Sequence, residues 1–306
     1  MYKKKLLIFG GTGFLGFHTA KKALQNGWEV SSVSKNKPLP QRYLKGMKYH
    51  FCDISKKKKL EKILNKKFNY IVNYSGYVDH SKKKLTYLSH YIGCKNIVDI
   101  LIKKNIFPEI FIQIGSSIEN GKTKSPQKEI AVKKSKRILS VYGKSKFKAS
   151  KYLINKFNKL NFPSIILRPY LIYGPNQEPN RFIPYVIKSC IKNKEFKLSK
   201  CTQFRDFLYI DDYIDLLFKI LKSKIGIGEI FNIGSGKPTQ LKQIITLIRN
   251  IIQKGKPNFG KVKLRKDEIL KMYANINKIK KYYEWKPKTL IKSGIDKTIR
   301  SYNKEL

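Results

Sequence analysis

The run Gly10-Gly11-Thr12-Gly13-Phe14-Leu15-Gly16 constrains this chain more than any other stretch. It holds Gly11-x-Gly13-x-x-Gly16 and, overlapping it, Gly10-x-x-Gly13-x-x-Gly16. Residues 6–9 before it are apolar and predict a strand. Phe14–Gln25 after it predicts a helix, which Gly27 ends. Glycines between a strand and a helix permit a tight turn. They let backbone N–H groups approach a pyrophosphate, which the helix N-terminus then faces. A glycine pattern alone is weak. Its place between a first strand and a first helix makes Gly10, Gly13, Phe14, Leu15 and Gly16 a dinucleotide-binding loop.

The first half of the chain keeps this alternation. Apolar runs at 28–33, 47–51, 70–74, 110–114 and 164–167 predict strands. Helical patterns lie between them: one with Leu60, Ile63 and Leu64 on its apolar side and Ser55 as its cap, one over 85–104, and one over 141–158. Such βαβ units predict an α/β fold, a Rossmann-type doubly wound parallel sheet. After Pro169 the pattern changes. Helices are expected at 182–192, 211–221, 240–252 and 290–303, and strands at 204–208 and 230–233. Asp211 or Asp212 stands where a helix cap would. We therefore expect a main dinucleotide-binding domain over residues 1–170. A smaller C-terminal α/β substrate-binding lobe is expected over 171–306, with some segments returning to the main domain.

The end of the second strand bears on the cofactor. An Asp or Glu there binds the ribose 2′-hydroxyl of NAD. This chain reads Val33-Ser34-Lys35-Asn36-Lys37, with no acid. A hydroxyl from Ser34 and an ammonium from Lys35 suit a 2′-phosphate. NADP is expected, with NAD as the alternative.

Tyr142 and Lys146 are four residues apart and share a helix face. An ammonium beside a phenol favours the phenolate, lowering a pKa that is ordinarily about 10. Tyr142 can then act as general acid or base at a carbinol carbon, and Lys146 can also bond the nicotinamide ribose. Ser116 follows a predicted strand, at the end of the sheet where doubly wound folds bind ligands. Its hydroxyl can bond the oxygen that Tyr142 protonates.

Composition limits other functions. Of 306 residues, 41% are hydrophobic and 28% charged, which fits a folded globular chain. No apolar run reaches the roughly 18 residues of a membrane span. The basic start leads into only a few apolar residues before Gly10, so no signal peptide is expected and the protein is read as cytoplasmic. Cys52, Cys94, Cys190 and Cys201 have neither metal-ligand nor disulfide-framework spacing and read as buried thiols. A net charge of +46 invites a nucleic-acid reading. Yet only eight of the 66 cationic residues are arginine, and the lysines are spread along the chain. Phosphate-reading surfaces favour the arginine fork. The charge is read as compositional bias, and no nucleic-acid partner is expected. Such a field still attracts a polyanion such as a sugar diphosphate.

With these residues in place, the chain resembles the extended short-chain dehydrogenase/reductase family of nucleotide-sugar epimerases, dehydratases and 4-keto reductases. The likeness runs over nearly the whole chain. Besides the glycine loop and the Ser/Tyr/Lys set it includes Cys52-Asp53-Ile54 and Arg168-Pro169-Tyr170-Leu171-Ile172-Tyr173-Gly174-Pro175. It continues with Arg205-Asp206-Phe207, Phe231-Asn232-Ile233-Gly234-Ser235-Gly236 and Trp285-Lys286-Pro287. The resemblance implies that Ser116, Tyr142 and Lys146 are catalytic, and that Asp53 contacts the adenine amino group with Ile54 beside it. It also implies that Ser116 and Ser117 touch the substrate and that Arg205 reaches a nucleotide diphosphate. A nucleotide-diphosphate sugar and a homodimer built on the helices near 85–104 and 141–158 follow from the same resemblance.

The departures narrow the chemistry. Dehydratases of the family carry Asp-Glu just after the catalytic hydroxyl. This chain has Ser117-Ile118, with Glu119 displaced by one residue as a candidate substrate contact. Leu171 stands where the family often has an Asn on the diphosphate. His90 replaces the family's Asn in the long helix, and a lone histidine there reads as structural. The reading that follows is NADPH-dependent reduction of an NDP-4-keto-6-deoxy sugar at C4. The alternatives are an NDP-sugar 4-epimerase with tightly bound NAD, and a non-catalytic dinucleotide-binding protein that associates with polyanions.

Overall fold

A computed structural model describes residues 3–77, 79, 81–130, 138, 140–264 and 268–303; Met1, Tyr2, Arg137 and Arg265 lie outside them. In chain order the elements begin β1 (Lys5–Phe9), α1 (Phe14–Gln25), β2 (Glu29–Ser34), β3 (Lys48–Phe51), α2 (Lys57–Ile63), β4 (Tyr70–Asn73) and α3 (Lys83–Tyr87). They continue α4 (Gly93–Lys103), β5 (Ile110–Ile114), α5 (Val141–Leu160), β6 (Ser164–Pro169), β7 (Leu171–Tyr173), α6 (Phe182–Ile191), β8 (Glu195–Lys197), β9 (Phe204–Tyr209) and α7 (Ile210–Lys222). The last are β10 (Ile230–Ile233), β11 (Pro238–Gln240), α8 (Leu241–Ile252), β12 (Lys256–Asn258), β13 (Lys271–Met272), α9 (Asn277–Tyr283) and α10 (Ile291–Asn303). The chain divides into two compact units. One gathers Met1–Gly121, Glu129–Pro169 and Ile214–Asn232; the other gathers Lys122–Lys128, Tyr170–Tyr213 and Ile233–Leu306.

The first unit is built on a seven-stranded parallel sheet in the order β3-β2-β1-β4-β5-β6-β10. β1 pairs in parallel with both β2 and β4, placing Phe9 opposite Val33 and Asn73. The strand order therefore reverses between β1 and β4, the point beyond whose carboxyl ends doubly wound folds bind ligands. The central strands β4 and β5 are buried along their whole length and mostly apolar rather than alternating, because helices cover both faces of a doubly wound sheet. Leu6, Leu7, Ile8 and Phe9 are all fully buried, as are Phe111 and Ile112 of β5. One core cluster packs Leu7, Phe9, Ile71 and Phe111 against Leu60, Ile97, Leu101, Ala149 and Leu153 from α2, α4 and α5. All four cysteines are free and buried.

Three local expectations change. Ser55 does not cap α2. Lys56 is the N-cap and makes no side-chain bond, while the Ser55 hydroxyl donates to Asp53 Oδ1 at 2.7 Å. The long helix expected over 85–104 is interrupted by a widened π turn at Leu88–Ile92, with His90 at its centre. Such turns take up an extra residue and recur at functional sites. Asp212 lies inside the first turn of α7, but its carboxylate accepts the backbone N–H groups of Lys288 (3.1 Å) and Thr289 (2.9 Å), so it tethers the entry to α10.

In the second unit β9 is central. It pairs antiparallel with β11 and parallel with β13 and β7, while β8 pairs in parallel with β12. Its Asp206 is fully buried. Oδ1 accepts the Ser235 amide at 2.6 Å and hydroxyl at 2.7 Å; Oδ2 accepts the amides of Gly236 at 3.0 Å and Ala274 at 3.1 Å. Burial outweighs these bonds and raises the Asp206 carboxyl above its ordinary range. The Gly234-Ser235-Gly236 motif is thus the wrapping of a buried carboxylate.

Candidate active site

The glycine loop turns tightly between β1 and α1. Gly10 has φ +80°, which glycine adopts without strain. A Cβ at Gly16 would run into the Gly10 carbonyl and the Gly11 Cα. Gly13 differs, for a Cβ there would meet only the Gly10 carbonyl, at 3.4 Å. Gly13 is also the N-cap of α1, and no side chain caps that helix. The first-turn amides of Phe14, Leu15 and Gly16 point out of the helix end, where an anion can take them. The Phe14 ring is buried, so its part in the loop is played by its backbone.

At the end of β2, Ser34 is buried and its hydroxyl is engaged by the loop: the Thr12 amide donates to Oγ at 3.3 Å, and Ser32 Oγ lies 3.2 Å away. Lys35 is the exposed member of the pair. Its ammonium is 3.6 Å from Asp53 Oδ2, across the mouth of the neighbouring strand end. Burial disfavours ionised Asp53, but the hydrogen bonds from Ser55 and the charge of Lys35 prevail and hold the carboxyl below its usual range. Ile54 is buried in the core. Its carbonyl accepts from Asn96 Nδ2 at 3.1 Å, which pins this segment to α4.

α5 brings Tyr142 and Lys146 to the end of β5. The helix begins with Ser140, whose Oγ accepts the Gly143 amide at 3.1 Å. A Cβ at Gly143 would meet Ile138 Cγ2 at 2.6 Å and Ile118 Cγ2 at 3.2 Å, so this glycine makes room for Ile138 and for the turn after Ser116. Lys146 is 4% exposed and its Nζ donates to the Ile114 carbonyl at 2.6 Å. Burial pushes the ammonium down to about 8, with the charge of Glu119 opposing. The Tyr142 ring meets the His90 ring edge-on, with centroids 5.0 Å apart. Ser116 opens a short helical turn, Ser117–Asn120, as its N-cap. Its Oγ accepts the Ile118 amide at 3.4 Å, and its own amide donates to Glu119 Oε1 at 2.7 Å. Ser117 is buried at 7% exposure, whereas Ser116 is partly exposed.

The expectation that Glu119 touches substrate is overturned. The residue is fully buried and ion-paired with buried Arg168, Oε2 to Nε at 3.2 Å. The displacement by one residue turns its carboxylate into the interior. Reading the sequence also missed Asn120, which accepts from Arg168 Nη1 at 2.9 Å and donates to Asn232 Oδ1 at 2.9 Å. The buried Asn73–Gln113 pair, bonded at 2.8 Å across β4 and β5, was missed too. The available signal was polar residues inside otherwise apolar strands.

In the second unit, Arg205 is nearly buried. Its Nη1 donates to the carbonyls of Phe204 and Ile269, both at 2.8 Å, and its Nη2 to Glu268. A diphosphate there would compete with Glu268 for the guanidinium. Leu171 is 38% exposed and carries no polar group. Among the described residues, no cluster of His, Cys, Asp or Glu could hold a metal ion, and no helix is long and apolar enough to cross a membrane.

Comparison with known proteins gives this geometry a context. Residues 6–234 match the model of the NAD dependent epimerase/dehydratase family. CDP-abequose synthase of Salmonella muenchen is 25% identical over 301 residues, 97% of this chain and 97% of the relative. Among solved structures, UDP-glucose 4-epimerase of Thermotoga maritima with UDP-glucose superposes with a TM-score of 0.89 at 20% identity, covering 98% of this chain and 99% of that one. UDP-glucose 4-epimerase of Thermus thermophilus in complex with NAD superposes with a TM-score of 0.86 at 18% identity, covering 99% of this chain and 100% of that one.

Proposed function

The chain belongs to the NAD dependent epimerase/dehydratase family, and from that premise we propose that it reduces an NDP-4-keto-6-deoxy sugar at C4 with NADPH. The observation that carries this reading is the end of β2, which reads Ser34-Lys35 and holds no acid. Its nearest carboxylate, Asp53, is already committed to Ser55 and to Lys35 itself. With Ser34 turned under the loop, Lys35 is the group that meets a 2′-phosphate. Ser117-Ile118 offers no acid for the elimination a dehydratase performs. A relative named for a CDP-sugar product, CDP-abequose synthase, matches over nearly the whole chain, which supports a nucleotide-diphosphate sugar as substrate.

A reduced nicotinamide, when bound, would supply the hydride. Tyr142 donates the phenolic proton to the C4 oxygen, so that the C=O bond becomes H–C–O–H and the phenolate is left. Ser116 donates a hydrogen bond to the same oxygen as charge develops on it. Lys146, held on the Ile114 carbonyl, keeps a positive charge near Tyr142 and favours the phenolate that the step leaves behind. Gly13 and the first turn of α1 would hold the pyrophosphate, and Asp53 would contact the adenine.

The test is absorbance at 340 nm with purified protein, NADPH or NADH, and a panel of NDP-4-keto-6-deoxy sugars. NADPH oxidation that disappears in Tyr142→Phe supports the reductase. No net oxidation, together with NAD retained through purification and interconversion of C4 epimers, replaces it with the 4-epimerase. Dinucleotide binding with neither activity replaces it with the non-catalytic reading.

A further inference from the structure

We propose that Glu119 is a positioning residue that fastens the Ser116 turn to the helix carrying Tyr142 and Lys146, an inference that rests on reading those three residues as the reacting groups. Its carboxylate makes contact in three directions. Oε1 accepts the backbone N–H of Ser116 at 2.7 Å. Oε2 accepts the hydroxyl proton of Ser150 at 2.6 Å and the Arg168 Nε–H at 3.2 Å. Ser150 lies on α5 one turn beyond Lys146 and two turns beyond Tyr142, on the face those residues share. Arg168 lies on β6, the strand beside β5. One carboxylate therefore ties the end of β5, the helix α5 and the neighbouring strand to a single point.

The surroundings are built around that point. Gly115 has no side chain where the Glu119 carboxylate lies, and a Cβ there would collide with Oε1. Arg168, fully buried, is held by Asn120 Oδ1 at 2.9 Å and the Ile130 carbonyl at 3.0 Å. Asn120 in turn donates to Asn232, whose amide donates to Glu129 at 2.9 Å. A buried ion pair is a poor source of net stability, since desolvation cancels most of the attraction. A network of this kind instead favours a single geometry, and the geometry it selects here is that of Ser116 relative to α5. The same carboxylate opposes the burial that lowers the Lys146 ammonium, so it acts on the site through charge as well as through position.

The test uses the full chain and the variants Ser150→Ala and Glu119→Gln. The first removes only the bond to α5. The double variant Glu119→Gln with Arg168→Met removes both buried charges and serves if Glu119→Gln alone does not fold. Two readouts are taken: the titration of Lys146, by NMR of ε-13C-lysine protein assigned with Lys146→Met, and kcat and KM as functions of pH. Glu119→Gln is expected to move the Lys146 titration down by about one pH unit, and the double variant, which loses the Arg168 cation as well, to move it down by less. Ser150→Ala is expected to leave that titration in place while lowering kcat roughly tenfold with KM little changed. An unmoved Lys146 titration without the Glu119 charge overturns the proposal. So does a Ser150→Ala protein that loses only melting temperature and keeps its kcat. The NMR readout needs no turnover, so a wild-type protein that fails to reduce any sugar counts against the proposed reaction alone.

Discussion

The imidazole of His90 stands edge-on to the ring of Tyr142, with centroids 5.0 Å apart and planes at 75°. His90 Nε2 lies 3.3 Å from the Tyr77 carbonyl, which can only accept, so that nitrogen carries the proton. The ring is thus held by this hydrogen bond and packs edge-on against Tyr142 from the π turn. Edge-to-face pairs are worth about 1 kcal/mol beyond their buried area. We expect His90→Ala to lower kcat roughly tenfold through a less confined Tyr142, and to leave dinucleotide affinity unchanged in a calorimetric titration. Wild-type kcat in His90→Ala would show that the contact is packing alone.

Cofactor choice should turn on Lys35. Its ammonium is 3.6 Å from Asp53 and more than half exposed, so it can exchange that partner for a 2′-phosphate at little cost. Lys35→Ala is expected to weaken NADPH binding about tenfold, a typical value for one charge-assisted contact, and to leave NADH binding within twofold. Equal losses for both cofactors would remove Lys35 from the 2′-phosphate and reopen NAD as the native cofactor.

Two glycines of the loop should fail in different ways. At Gly13 a methyl group would meet only the Gly10 carbonyl, at ordinary contact distance, on the side proposed to face the pyrophosphate. At Gly16 the same methyl meets the backbone of Gly10 and Gly11. Gly13→Ala is expected to melt within a few degrees of wild type and to lose dinucleotide affinity by more than about tenfold. Gly16→Ala is expected to lose stability as well, by about 1–3 kcal/mol, as overpacked sites do. Thermal melts and calorimetry on the two proteins separate these outcomes; matching profiles for both would mean that Gly13 does not face the phosphates.

Lys146 should leave a signature in stability against pH. Burial lowers its ammonium from 10.5 to about 8 in the folded chain. Between those values the unfolded chain binds more protons, so stability rises with pH across that window. Below about pH 8 both states are protonated, and the full cost of the buried charge, about 3 kcal/mol, is present. Above about pH 10.5 neither state is protonated and the cost is gone. Lys146→Met should therefore be more stable than wild type at pH 7, with the advantage shrinking by pH 10. Urea melts giving a constant difference at both pH values would contradict the lowered ammonium.

Much of the architecture was legible because its causes are local. The apolar runs at residues 6–9 and 110–114 read as strands because a doubly wound sheet buries both strand faces. The long helix reads as unbroken because the π turn is confined to five residues, Leu88–Ile92, within an otherwise helical run. Short strands such as Glu195–Lys197 and Lys271–Met272 had too few residues to show any period. Asp212 read as a cap because acids are common in a first turn; its partners are backbone groups 76 and 77 residues away.

The sequence by itself determined the glycine loop between β1 and α1, the main strands and helices of the parallel sheet, and the Tyr142–Lys146 spacing. Each depends on residues within a turn or two of one another, and backbone geometry converts such spacing directly into position. Only the tertiary structure decided what Glu119 does. Its partner Arg168 is 49 residues away in the chain, and Asn120 reaches Asn232 across 112. Pairs so distant leave no periodic trace. Which polar side chains meet in a core is settled when strands and helices pack and each buried donor must find an acceptor.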